Sequence, residues 1–376
     1  MRESSKEIKV KYKFINLEGS NYDVGFQLGD KLRNEVDSYP NIVTSPFKPE
    51  KTGFKHLTEA QNLVESFCPG IKEEIQGLAD GFNVSSERIA FGRYVVPFEG
   101  QNYCSQFLLL SSITKDNSII IGRSYDYHPD DEDKILLRTK VKGKYGHIGF
   151  CMQGLGRGEG INSEGLVVSM TGGGAFEAPN TNKMAFNYNI AIRSLLDNCR
   201  TVDKAVELLL EMPVYSSTIY LIADKSGKAA LVEGIDSKYA VRMIDKDTPE
   251  QYIISTNHYN HPEMVSYNKY VNPWIMPNSQ IRYKTMNSKI RATLPKMTKD
   301  IAFNILSQEM PDGVCALYFT EWFGTLWSML FNLTKESVDV CFGPPIHNTF
   351  HCFTMKEPSE DNDFIALLVD KKSPEF

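Results

Sequence analysis

The 376-residue sequence predicts a mixed α/β fold that contains much antiparallel sheet. Apolar residues recur with helical spacing over Phe54–Phe67 and Ile71–Phe82, with Pro69-Gly70 as a break between them. From Cys104 onwards the sequence changes to short apolar runs that are separated by turn residues. An order of strands, then helices, then further strands is typical of sheets that are covered by helices.

The other elements follow the same two patterns. The helical pattern predicts helices at about 21–35, 186–196, 202–210, 279–294 and 301–306. The strand pattern predicts strands at 8–15, 107–110, 119–121, 148–152, 218–224, 229–233, 240–244, 252–259, 325–332 and 337–342, and on either side of a hairpin turn at 162–166 within 161–170. Residues 273–278, with two prolines, are predicted to form a loop.

Composition and charge exclude several classes of function. A net charge of −6 and a pI near 5.8 give no support for nucleic-acid binding. Residues 1–17 lack an apolar signal region, and no apolar run is long enough to span a bilayer. The seven cysteines form no CxxC pair and no zinc-ligand spacing with a histidine. We therefore expect reduced thiols in the cytoplasm, no metal and no cofactor.

Chemistry-bearing residues flank a predicted hairpin. Cys104 opens its first strand, residues 115–118 form the turn, and Arg123 and Asp126 close its second strand. A cation and a carboxylate beside a thiol can lower the pKa of the thiol and orient a proton acceptor. The alternative from spacing alone is a buried structural cysteine with a surface Arg-Asp pair.

The phrases Cys104-Ser-x-Phe and Gly122-Arg123-x-x-Asp126-Tyr resemble the start of the mature chain in N-terminal-nucleophile hydrolases. The similarity is greatest to the isopenicillin N acyltransferase-like family. The related choloylglycine hydrolases resemble this chain less. This resemblance implies a four-layer αββα sandwich with a mainly helical N-terminal pro-segment. Residues 1–103 would be the pro-segment or small subunit, and residues 104–376 the catalytic domain.

The resemblance also implies a mechanism. The chain would cleave itself between Tyr103 and Cys104, and the freed α-amino group of Cys104 would serve as the base for its own thiol. Asp126 would hold that amine and Arg123 would favour the thiolate. Asn257 matches the asparagine that donates to the oxyanion of the tetrahedral intermediate.

Further site residues follow from the resemblance. The phrase Ser279-x-x-Arg282 matches the position of an active-site arginine in the related hydrolases. Those enzymes carry a second active-site asparagine after an Asn-x-x-Gly-Leu hairpin, where this chain has Thr171, and a backbone N–H such as that of Gly172 is the alternative donor. The residue before the nucleophile is Tyr103, where the acyltransferase often has glycine.

The expected activity is cleavage of a linear, non-peptide C–N amide through a Cys104 thioester. The expected partners are a small-molecule amide or acyl donor and, as an open alternative, further copies of the chain, but no nucleic acid and no membrane. Two other functions remain open. The chain could be an uncleaved, catalytically silent relative that binds a ligand, or a Cys–His hydrolase in which His258 serves as the base.

Overall fold

The computed structural model describes residues 6–34, 54–94, 103–175, 185–214, 217–236, 238–321, 323–357 and 359–373. Three parts of the expected pro-segment, 1–5, 35–53 and 95–102, lie outside these ranges. The strands are β1 (Lys6–Gly19), β2 (Ser105–Leu109), β3 (Ile120–Tyr127), β4 (Ile135–Val141), β5 (His147–Met152), β6 (Gly156–Arg157), β7 (Gly160–Asn162), β8 (Val167–Gly172), β9 (Thr218–Ala223), β10 (Ala229–Ile235), β11 (Lys238–Ile244), β12 (Tyr252–Ser255), β13 (Leu317–Tyr318), β14 (Phe323–Asn332), β15 (Ser337–Phe342), β16 (Phe350–Thr354) and β17 (Asn362–Asp370).

The α-helices lie in two groups, one before β2 and one after β8. They are α1 (Asn21–Leu32), α2 (Phe54–Phe67), α3 (Ile71–Phe82), α4 (Ser86–Tyr94), α5 (Tyr188–Asn198), α6 (Val202–Glu211), α7 (Ile275–Thr293) and α8 (Lys299–Ser307). None of the helices in the described ranges combines the length and the apolar character that crossing a membrane requires.

Within the described residues the strands form two sheets. The larger has the order β11-β10-β9-β8-β7-β5-β4-β1-β17, with β6 beside β5. The smaller has the order β12-β2-β3-β14-β15-β16, with β13 beside β14. Neighbouring strands are antiparallel except β1 and β4, which run parallel. The N-terminal strand thus lies inside the larger sheet, between β4 and β17.

Helices cover the outer faces of both sheets. Helix α5 contacts β5 to β8 and α6 contacts β9 and β10, whereas α7 and α8 contact the smaller sheet. The sheets face each other through β2 and β8 and through stacked aromatic rings. Trp327 lies between Tyr125 at 4.1 Å and Phe150 at 4.0 Å between ring centroids. The four-layer α/β/β/α sandwich expected from the sequence is confirmed.

Helices α1 and α3 cross at very close range because glycines line both. A Cβ on Gly25 would lie 2.1 Å from the carbonyl oxygen of Glu74, and one on Gly77 would lie 2.1 Å from the carbonyl oxygen of Tyr22. The two backbones can approach this closely only because glycine has no Cβ.

The N-terminal segment is also fixed by a buried ion pair. Both terminal nitrogens of Arg193 on α5 donate to the carboxylate of Glu74 on α3, at 3.1 and 2.9 Å. Both side chains are buried, so this pair lies between the first helix group and the helix layer of the larger sheet.

The structure differs from the sequence-based prediction at several elements. The loop predicted at 273–278 is wrong in its second half, because α7 already begins at Ile275. The predicted first strand extends over the whole of Lys6–Gly19 because it pairs with β4 and β17. Strands β4, β6, β13, β16 and β17 have no counterpart in the prediction. Strands β6 and β13 are only two residues long, and the polar and apolar residues of the other three do not alternate regularly.

Candidate active site

Strand pairing places the predicted nucleophile beside Asp126. Cys104 directly precedes β2, which pairs with β3 so that Ser105 lies opposite Ser124. The backbone N–H of Tyr103 donates to the carbonyl oxygen of Asp126 at 3.2 Å. Cys104 is fully buried at this end of the smaller sheet.

Two groups on β3 act on the Cys104 thiol. The guanidinium of Arg123 and the backbone N–H of Asp126 lie near the sulfur, and both act to lower the pKa of the thiol. Burial raises the pKa of Cys104, and the positive charge of Arg123 opposes that effect. In the continuous chain the sulfur is therefore a thiol at neutral pH, held between two donors that would stabilise a thiolate.

Asp126 is a buried carboxylate with one satisfied and one unsatisfied oxygen. Its Oδ1 accepts from the hydroxyls of Ser124 at 2.8 Å and Thr325 at 2.7 Å. Its Oδ2 is buried and accepts no hydrogen bond from the described residues. Burial raises the pKa of Asp126 to about 6, against the opposing effect of Arg282.

Arg123 is fixed by a second buried carboxylate. Its Nε donates to Glu159 at 3.1 Å, and the indole N–H of Trp327 donates to the other oxygen of Glu159 at 2.9 Å. Burial alone would lower the pKa of Arg123, but Cys104 and Glu159 raise it, so the guanidinium stays charged. The side chain is thereby oriented towards the thiol.

Arg282 on α7 joins the nucleophile to Asn257. Its Nη1 donates to the carbonyl oxygen of Cys104 at 2.6 Å and to the hydroxyl of Ser105 at 2.9 Å. Its Nη2 donates to Oδ1 of Asn257 and its Nε to Oδ1 of Asn278, both at 2.7 Å. Burial lowers the pKa of Arg282 to about 10, which still leaves it charged at neutral pH.

The contact with Arg282 settles the orientation of the Asn257 amide. Because Oδ1 accepts from the guanidinium, the amide nitrogen points to the other side, where it donates to the carbonyl oxygen of Gly172 at 2.9 Å. An amide NH2 has two donors. One N–H of Asn257 is thus used by Gly172, and the second can donate to an oxyanion.

Ser279 and His258 support Asn257. The hydroxyl of Ser279 accepts from the backbone N–H of Asn257 and pairs with Nδ1 of His258, both at 2.7 Å. Burial, followed by the charge of Arg282, lowers the pKa of His258 to about 4. His258 is therefore neutral at physiological pH and is bonded to Ser279.

Thr171 bridges the two sheets. Its hydroxyl donates to the carbonyl oxygen of Thr256 at 2.7 Å and lies 3.0 Å from the hydroxyl of Ser255. Gly172 presents its carbonyl oxygen to Asn257, so the contact seen here uses its acceptor and not its N–H.

The structure brings the predicted residues into one buried network. Cys104, Arg123, Asp126, Asn257 and Arg282 are all fully buried and connected directly or through shared partners. The sequence analysis missed several residues of this network, among them Ser105, Ser124, Glu159, Asn278 and Thr325. Glu159 had a signal, since it is the one acidic residue in the glycine-rich segment Gly154-Leu-Gly156-Arg-Gly158-Glu-Gly160. Asn278 and Thr325 had none, because both act through contacts between distant parts of the chain.

The described part of the chain contains no cluster of potential metal ligands. No group of three or more His, Cys, Asp or Glu side chains there is arranged to hold a metal ion. The charged groups at the site instead bond to one another.

Two solved structures that match this chain have low sequence identity and low structural similarity to it. Penicillin V acylase from Agrobacterium tumefaciens is 15% identical with a TM-score of 0.46, over 69% of this chain and 90% of that one. A mutant of the conjugated bile acid hydrolase from Clostridium perfringens is 13% identical with a TM-score of 0.46, over 72% and 99%. Both scores lie below 0.5, so the family assignment depends on sequence.

A curated relative from Archaeoglobus fulgidus, described as an uncharacterized protein, is 22% identical over 340 residues. That alignment covers 73% of this chain and 54% of the relative, so this chain spans about half the length of the protein it matches.

The sequence model of one enzyme family matches residues 113–347, which is more than half of the chain. The matched segment begins after Cys104 and contains Arg123, Asp126, Asn257 and Arg282. This match confirms the family resemblance found in the sequence. Because the match covers more than half of its length, the chain belongs to the acyl-coenzyme A:6-aminopenicillanic acid acyl-transferase family.

Proposed function

We propose that the protein is a self-activating cysteine amidohydrolase or acyltransferase that cleaves a linear, non-peptide C–N amide of a small molecule. The observation that carries this proposal is the unsatisfied Oδ2 of Asp126, buried beside Cys104. A buried carboxylate oxygen without a donor is costly. Cleavage before Cys104 would create an α-ammonium group beside it, and that group would supply the missing donor.

Self-cleavage begins at the carbonyl carbon of Tyr103. The sulfur of Cys104 bonds to that carbon, the bond from the carbon to the nitrogen of Cys104 breaks, and the thiol proton moves to the nitrogen. Water then hydrolyses the thioester, which leaves the carboxylate of Tyr103 and a free α-amine on Cys104. An α-amine titrates near ~7.7–8, close to a neutral working pH.

Turnover repeats this chemistry on an external amide. The amine of Cys104 accepts the thiol proton as the sulfur attacks, and it returns a proton to the leaving amine. Arg123 favours the thiolate, and the second N–H of Asn257 stabilises the oxyanion. Water as acceptor completes hydrolysis, whereas an amine as acceptor completes acyl transfer.

The N-terminal segment, residues 1–103, is proposed to stay bound as the small subunit of the catalytic domain, residues 104–376. Strand β1 pairs on both sides inside the larger sheet, and the hydroxyl of Tyr12 donates to the carbonyl oxygen of Leu326 at 2.7 Å. The buried pair of Glu74 and Arg193 adds a further link across the two pieces. The proposed location is the cytoplasm, since all seven cysteines are free.

Intact-mass analysis under denaturing conditions tests the proposal. The wild-type protein should give two fragments that meet between Tyr103 and Cys104, while Cys104→Ala should remain whole and inactive on amides. Cys151→Ala is the matched control, because Cys151 is equally buried and its pKa is raised by burial beside Asp133.

Cys151→Ala should cleave and turn over normally. A whole wild-type chain without amide turnover would favour the silent ligand-binding relative. Turnover by Cys104→Ala would contradict the mechanism altogether. A whole chain that still uses Cys104 would favour the Cys–His alternative with His258.

A further inference from the structure

Tyr103, the residue before the nucleophile, occupies an apolar cluster of its own. Its ring stacks in parallel on Phe323, with ring centroids 3.7 Å apart and planes within 2°. The side chain is 5% exposed. The other members of this cluster, here called the Tyr103 pocket, are Val271, Ile275, Met310, Ala316 and Tyr318. The Tyr103 pocket is separate from the main core between the sheets.

The Tyr103 pocket adjoins the groups that would stabilise the reaction. The amide nitrogen of Asn278 donates to the sulfur of Met310 at 4.0 Å, while its oxygen accepts from Arg282. On the other side, a Cβ on Gly174 would meet both the carbonyl oxygen of Asn257 and a methyl group of Val271. Asn278 thus joins the pocket to Arg282, which donates to the proposed oxyanion donor Asn257.

Self-cleavage and turnover share one kind of intermediate. In self-cleavage the first acyl group carried by Cys104 is the N-terminal segment, bonded through the carbonyl carbon of Tyr103. In turnover the acyl group of the substrate takes that place on the same sulfur. The side chain of Tyr103 consequently marks where the substituent of an acyl group lies when its carbonyl carbon is beside the thiol.

We propose that the Tyr103 pocket is the acyl-binding site and that it selects acyl groups with an aromatic ring two carbons from the carbonyl. Two carbons, Cα and Cβ, separate the carbonyl carbon of Tyr103 from its ring, so the matching substrates are 3-arylpropanoyl amides. This inference depends on the proposed function. Once the chain is cleaved, Tyr103 ends in a carboxylate and can leave the pocket, and the face of Phe323 becomes available to the ring of a substrate.

The shape of the pocket favours a flat ring over a bulky or linear chain. Parallel aromatic pairs are stabilised beyond the effect of their buried area. We therefore expect a phenyl group to exceed a cyclohexyl group of similar size by about 2- to 12-fold in kcat/KM. A ring one carbon nearer to or farther from the carbonyl would meet the pocket wall or leave Phe323 uncovered.

The test uses the cleaved protein and 4-nitroanilides that differ only in the acyl group. The series contains phenylacetyl, 3-phenylpropanoyl, 4-phenylbutanoyl, 3-cyclohexylpropanoyl and hexanoyl amides, and kcat/KM is measured for each. We expect the maximum at 3-phenylpropanoyl. Phe323→Leu should remove the advantage of phenyl over cyclohexyl mainly through KM, while Phe323→Tyr should keep it.

Phe26→Leu is the matched control, because Phe26 lies partly exposed on α1, in the N-terminal helix group. It should leave the acyl preference unchanged. A maximum at another ring position, a preference for hexanoyl, or hydrolysis of none of these amides by the cleaved protein would overturn the inference. The wild-type series decides this even if Phe323→Leu does not fold.

The two proposals fail in different ways. A chain that remains whole, or a Cys104→Ala variant that turns over amides, would contradict the proposed function and the inference with it. Cleavage between Tyr103 and Cys104 with amide turnover, but without the expected acyl preference, would overturn only the inference.

Discussion

The hydroxyl of Thr325 on β14 donates to Oδ1 of Asp126 on β3 at 2.7 Å. The pairing of these strands shifts register between Thr325 and Trp327, so Leu326 is an extra residue at this point. Such bulges redirect side chains next to functional sites. The oxygen of Thr325 also accepts from the backbone N–H of Ala316 at 2.9 Å. That bond directs the hydroxyl hydrogen towards Asp126.

The raised pKa of Asp126 predicts a stability that depends on pH. Because the folded pKa is about 6 and the ordinary value is 3.8, the folded chain binds this proton more tightly than the unfolded chain. The stabilising contribution is complete below about pH 4 and is lost as pH rises through about 6. A pKa that is higher by about 2 in the folded state corresponds to about 3 kcal/mol of unfolding free energy.

Urea unfolding of Cys104→Ala and of Cys104→Ala with Asp126→Asn measures this effect in uncleaved chains. Between pH 4 and pH 7 the single variant should lose about 3 kcal/mol of unfolding free energy relative to the double variant. A difference that does not change with pH would mean that Asp126 is ionised throughout.

Asn257→Ala should lower kcat by about 10²- to 10³-fold with little change in KM, because the second N–H of Asn257 contacts the substrate only as an oxyanion forms. Steady-state kinetics on the cleaved protein measures this. Asn332→Ala is the matched control, since Asn332 is also buried but lies at the opposite end of β14. Equal losses of kcat in both variants would argue against the oxyanion role.

His258→Asn should retain self-cleavage and keep kcat/KM within about 10-fold of wild type. His258 is neutral with a pKa of about 4, and its Nδ1 pairs with Ser279, a contact that an asparagine amide can replace. The pH profile of turnover between pH 5 and pH 8 should also be unchanged. Loss of both activities by about 10³-fold or more would instead identify His258 as the base.

Gly25→Ala should destabilise the protein by about 1–3 kcal/mol, because the new methyl group would meet the backbone of Glu74 and force α1 away from α3. Thermal unfolding measures the change. The control is Asp30→Ala on the exposed face of α1, which should cost no more than about 1 kcal/mol through loss of its surface pair with Arg33. Equal effects would show that the close crossing contributes little.

Local sequence patterns determined the elements that carry the site. The hairpin that presents Cys104, Arg123 and Asp126 was predicted because its apolar runs and turn residues are contiguous in the chain. Helices α2 and α3 were predicted with their observed bounds, since the apolar spacing and the Pro69-Gly70 break are local signals. The resemblance to a family supplied Asn257 and Arg282, which spacing alone would have left as a turn residue and a solvated arginine.

The tertiary structure alone decided how these residues are joined. Arg282 reaches the carbonyl oxygen of Cys104 across 178 positions of sequence, and Thr325 reaches Asp126 across 199. No local pattern encodes such contacts, because they depend on which strands become neighbours and where a bulge shifts their register. For the same reason nothing local in the sequence relates Tyr103 to Phe323. Their stacking arises only because β3 lies between β2 and β14 in the smaller sheet.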